Sequence, residues 1–166
     1  MSLRQDSEPC SHFRVPGFRS FFKFWLPVII WMLLIFSAST DAMSTQRTSR
    51  IIGPLLRWLK PDISDAAIYQ VQYVGRKGAH MTEYAILALL FWRARRKPVK
   101  GDGRPWSWTE AMFALGFAAL YAATDEFHQS WIPSREGRAA DVFLDMAGAA
   151  VGLVVWWRFG RWRRYW

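Results

Sequence analysis

The chain has 166 residues, 52% of them hydrophobic, with 11 Trp, 12 Phe and a formal net charge of +9. That length allows one domain, and its apolar residues fall in runs rather than being spread evenly, which points to a lipid bilayer and against a small soluble core. The basic residues flank those runs, where Lys and Arg set topology and contact anionic lipid, so nucleic acid is excluded as a partner; the single Cys10 excludes an intrachain disulfide.

Taken in order, residues 1–20 form a polar, basic tail, and a first span runs from Phe21 to Ser39 with Pro27 near its start. A basic leader, an apolar run and the small residues Ser37 and Ser39 also fit a cleaved signal sequence. The 40–77 connection carries an amphipathic run, 51–60, expected to lie along the membrane surface and to stop at Pro61. Asp62 or Ser64 is then placed to cap a short helix through Tyr73.

The second span, Gly78 to Trp92, has 15 residues and is about 22 Å long, short of a roughly 30 Å hydrocarbon core. It crosses only if Tyr69–Lys77 extends the helix. The third span runs from Trp106 to Ile132 and the fourth from Ala139 to Phe159, followed by an aromatic and basic tail suited to interfacial anchoring. The expected fold is all-α: a polytopic membrane domain over 21–159 with about four transmembrane helices and an interfacial helix in the first external loop, between tails at 1–20 and 160–166.

Lys and Arg number 4 in residues 1–23, 6 in 93–106 and 4 in 158–166, against 6 in 40–77 and 2 in 133–139. The positive-inside rule places both termini and the 93–106 loop in the cytoplasm. His80/Glu83, Asp125/Glu126 and Asp141/Asp145 then converge near the external face from three helices. Helical phase agrees with this placement. His80, Glu83 and Tyr84 share a face, while Ala118, Ala122, Asp125 and Gln129 form a stripe that Asp141, Asp145, Gly148 and Gly152 repeat. Ionisable groups at membrane depth are costly without partners or a function.

Lys77-x-x-His80-x-x-Glu83-Tyr84, Asp125-Glu126-x-x-Gln129, Pro133-x-Arg135 and Asp141-x-x-x-Asp145-x-x-Gly148-x-x-x-Gly152 resemble the VanZ-like family, as does Phe36-Ser37-Ala38-Ser39. The resemblance covers residues 25–155 and implies a bacterial, multi-pass plasma-membrane protein; the founding member is linked to teicoplanin resistance. The family often has Asn where this chain has Asp145.

Two readings of the clusters stand side by side. In one, His80 with Glu83, and Asp125 and Glu126 with Arg135, Arg138 or Lys77, are buried structural pairs. In the other, His80, Glu83, Asp125 and Glu126 move protons or organise water, while Lys77, Tyr84, His128, Gln129, Arg135, Arg138, Asp141 and Asp145 bind a ligand. The ligand expected is an anionic, lipid-linked envelope component. A hydrolase or transferase acting on an envelope lipid and a proton-coupled transporter, the latter requiring a homo-oligomer, are the alternatives. No cofactor is expected, although His80, Glu83, Asp125, Glu126, His128 and Asp141 offer donors to a divalent metal. The topology predicts that a cysteine at position 97 is labelled only from the cytoplasmic side; labelling from outside overturns the orientation.

Overall fold

The computed structural model describes residues 18–39, 45–99, 102–132 and 138–166, and among these every regular element is an α-helix. They are α1 (Phe18–Ala38), α2 (Thr45–Leu59), α3 (Asp65–Arg96), α4 (Trp108–Gln129) and α5 (Ala139–Trp162). The expected basic tail lies almost wholly in residues 1–17, outside the described ones.

The caps have local causes. Ser64 begins α3 by accepting from the Ala67 N–H, and Ser107 begins α4 by accepting from the Glu110 N–H at 3.3 Å, the Ser-x-x-Glu spacing of a capping box. Lys97 closes α3 in the left-handed region (φ 48°) just before Pro98. The expected break near Tyr73 does not occur. α3 is one helix of 32 residues, about 48 Å long, joining the segment predicted as a separate short helix to the predicted second span.

α3 packs against each of the other four helices. Its neighbours' directions follow from paired residues. Arg93 bonds to the Lys23 carbonyl and the Glu83 carbonyl accepts from Trp31, so α1 is antiparallel to α3. Arg96 meets Glu110 at one end and Tyr84 meets Asp125 at the other, so α4 is also antiparallel. α5 runs parallel to α3: Lys77 pairs with Asp141, His80 faces Asp145, and a Cβ on Gly148 would fall 2.4 Å from the Met81 carbonyl oxygen. Glycine therefore sets the separation of these two helices, as in small-residue packing between membrane helices.

The bundle has small residues inside and large apolar ones outside. Ala88, Ala94, Ala111, Ala114, Ala118, Ala122 and Ala149 are buried, whereas Leu33, Leu120, Phe143 and Val155 are each at least 60% exposed. By length and composition α1 (from Arg19) and α5 are able to cross a membrane, and at most 22% of either apolar window is buried, unlike the core helix of a soluble protein. The expectation of four such spans is met by these two alone among the described residues. α3 differs for a physical reason: between residues 78 and 96 it exposes no large hydrophobic side chain, being covered by its neighbours. α4 has an apolar outer face but carries Glu110, Asp125 and Glu126.

At the end of the bundle opposite the acid clusters, Trp92 stacks on Trp106 at 5.2 Å and Trp166 turns back against both. Arg164, at φ 55°, makes that reversal, and Trp166 occupies the space beside Gly160. The tail expected to anchor at an interface therefore divides, with Trp162 exposed and Trp166 packed inward. Beside it Arg96 bonds to the Pro105 and Arg104 carbonyls, and Arg104 bonds to Asp102. The Arg104 hydrogen bonds hold the Asp102 carboxyl well below the usual carboxylate range. Gly148→Val should force α3 and α5 apart and cost about 1–3 kcal/mol, read as lowered thermal stability of the purified protein, while Gly116→Ala, with open space around it, leaves stability unchanged or slightly raised.

Candidate functional site

The C-terminal ends of α1 and α4, the N-terminal end of α5 and the middle of α3 meet at one level. Their centre is Asp125, 3% exposed. Its Oδ2 accepts from Ser39 Oγ at 2.9 Å, Gln129 Nε2 at 3.0 Å and Tyr84 Oη at 3.3 Å. Three donors from α1, α3 and α4 thus converge on one oxygen, and Gln129 also reaches Ser39 Oγ at 3.4 Å. The small faces of Ala118 and Ala122 below Asp125 allow the close approach that brings the donors within reach.

Around this hub lie three further pairings. Lys77 Nζ forms an ion pair with Asp141, both partly buried. His80 Nδ1 lies 3.7 Å from Asp145 Oδ1, inside ion-pair range but too long for a hydrogen bond. Glu126 Oε2 accepts from the Arg138 backbone N–H at 2.9 Å. The hub and Asp145 contrast sharply. Asp125 accepts three hydrogen bonds at Oδ2 and none at its buried Oδ1, whereas Asp145 is 1% exposed with no hydrogen-bond donor at either oxygen. Burying a carboxyl this way is costly, and unsatisfied groups of this kind mark places where something else must bind, move or protonate.

The structure brings Lys77, His80, Tyr84, Asp125, Glu126, Gln129, Asp141 and Asp145 together. Glu83 contributes its backbone carbonyl to Trp31. His128 stacks on Phe36 of α1 at 4.5 Å. Arg138 meets the cluster through its backbone, with an exposed side chain, and Arg135 lies outside the described residues. Among the described residues no three His, Cys, Asp or Glu side chains are grouped so as to hold a metal ion. Nor does the described Ser39 form a Ser–His pair, since its hydroxyl is given to Asp125.

Ser39 is the site residue that the sequence reading passed over as such. Its signal was the polar end of an apolar run emerging on the same side as Asp125. Tyr121 was missed too; its hydroxyl donates to the Met32 carbonyl at 2.6 Å and ties α4 to α1 just below the hub.

No curated protein and no solved structure matches the chain at a significant level. The sequence profile of the VanZ/LLP1 family matches residues 24–160, which takes in α1 from Phe24, all of α2, α3 and α4, and α5 to Gly160. The chain belongs to the VanZ/LLP1 family.

Proposed function

We propose that this chain is a four-span protein of the bacterial plasma membrane that contributes to glycopeptide tolerance through the polar cluster around Asp125. α1, α3, α4 and α5 cross the bilayer as a bundle, α3 shielded by the others, with both termini cytoplasmic and α2 lying on the external surface. The observation that carries this reading is the convergence on Asp125 of donors from α1, α3 and α4, in a bundle whose outer surface is apolar. Family membership supplies the link to teicoplanin.

The ligand is an anionic envelope component. Lys77 is held by Asp141, so an anion must compete with that carboxylate, and Arg135 and Arg138 belong to the rim it meets first. In a low-dielectric site such an exchange of partners is strongly favourable or unfavourable rather than neutral, which suits a binding or sensing element.

The test is teicoplanin and vancomycin susceptibility of a sensitive Gram-positive host expressing wild type, Asp125→Asn or Tyr84→Phe at matched membrane levels. Wild type should raise tolerance and Asp125→Asn abolish it. Tyr84→Phe, removing one of three donors, should cost about 0.5–1.5 kcal/mol of stability and retain part of the effect. Unchanged susceptibility with all three inserted chains overturns the reading.

Asp145 favours a second reading, proton-coupled transport by a homo-oligomer, because a buried carboxyl without a donor beside His80 has the arrangement of a proton-exchange pair. Proteoliposomes holding the wild type should then dissipate a pH gradient, and Asp145→Asn should not. Equal gradients in both preparations remove this reading.

A further inference from the structure

The outer face of α4 carries a groove, remote from the polar cluster, of about 680 Å³. Trp108, Met112, Phe113, Gly116, Phe117 and Leu120 line it. From Trp108 to Leu120 the helix rises about 18 Å, slightly more than the roughly 15 Å of hydrocarbon in one leaflet. Gly116 leaves the groove open: apart from its chain neighbours and its helix's own backbone, no atom lies within 4 Å of the place its Cβ would occupy.

A cation lies against one of the groove's lining rings. The Arg95 guanidinium lies 4.3 Å from the centre of the Phe113 ring. Its neighbours are already engaged, Arg96 with Glu110 and Asp102, Arg104 with Asp102, and Arg93 with the Lys23 carbonyl. Among the described residues no carboxylate pairs with the exposed Arg95. Trp108, half-exposed at the N-terminal end of the lining segment, offers an amphipathic ring of the kind that meets lipid headgroups. A cation with no carboxylate partner among the described residues, lying on the Phe113 ring of an apolar groove, matches the pairing of charge and chain in an anionic phospholipid.

We propose that this groove binds one acyl chain of an anionic phospholipid whose phosphate sits against Arg95. The inference rests on the membrane-spanning reading above but not on any role of the Asp125 cluster. Arginine is suited to this contact because its planar, weakly hydrated guanidinium bonds phosphate oxygens while still lying on an aromatic face. Gly116 is suited because any larger side chain there would fill the trough.

The experiment uses the full chain in detergent micelles, offered equal amounts of phosphatidylglycerol and phosphatidylcholine with identical acyl chains, the retained lipid being counted by native mass spectrometry. One basic residue near an anionic headgroup contributes about 1 kcal/mol, so wild type should retain phosphatidylglycerol about fivefold over phosphatidylcholine. Arg95→Gln should bring the two near parity, and Gly116→Leu should reduce retention of both. No preference in wild type, an undiminished preference in Arg95→Gln, or unchanged retention in Gly116→Leu overturns the proposal. So does efficient disulfide dimerisation of Gly116→Cys in membranes, which would show a second copy covering this face. Flotation of the same proteins with vesicles of each lipid separates the two failures: a chain that associates with neither overturns the membrane reading itself, and one that associates with both without selectivity overturns only the lipid site.

Discussion

Everything at the polar end depends on how closely α5 lies against α3. Where Gly148 faces the Met81 backbone there is no room for a side chain, and this contact fixes both the distance and the register of two parallel helices. One turn earlier, Asp145 is brought opposite His80, and a further turn earlier Asp141 is brought opposite Lys77. The acidic residues of α5 thus owe their partners to a glycine. α4 then lies across both helices and supplies Asp125 and Glu126, and α1 closes the side with Ser39. Small-residue packing, which elsewhere only brings helices together, here also determines which charges meet.

The cluster divides its polar groups unequally. Asp125 is held by short neutral donors from α1, α3 and α4, so its position is over-determined and the loss of one donor leaves two. Lys77 and Asp141 cancel each other's charge at the partly exposed rim. Asp145 receives no such support, although it is the most buried of the five acids on α4 and α5. Both oxygens of this carboxyl lack a donor, where Asp125 lacks one at a single oxygen.

Much of this was legible from spacing. The stripe of Ala118, Ala122, Asp125 and Gln129 is buried as one face, because a face of small residues packs and a face of large ones does not. The distribution of Lys and Arg along the sequence already places the acids at one level. The continuity of α3 was legible only as a condition: the second span crosses if Tyr69–Lys77 extends the helix, and α3 does run unbroken from Asp65 to Arg96, past the expected end at Tyr73. The central place of α3 was hidden, since a helix covered by its neighbours has no need of a lipid-like composition and so scores poorly as a span. Ser39 was overlooked as a site residue because its partner lies 86 residues away, beyond any local pattern.

The unbroken length of α3 has a mechanical consequence. A rod of about 48 Å exceeds the hydrocarbon thickness and has no joint at which to bend. In the four-span arrangement proposed above, a bundle built on it answers a thicker or thinner bilayer by tilting rather than by kinking. α2 packs against α3, so α2 and the row from Lys77 to Tyr84 swing together. In that arrangement membrane thickness and the height of the polar cluster are geared to one another.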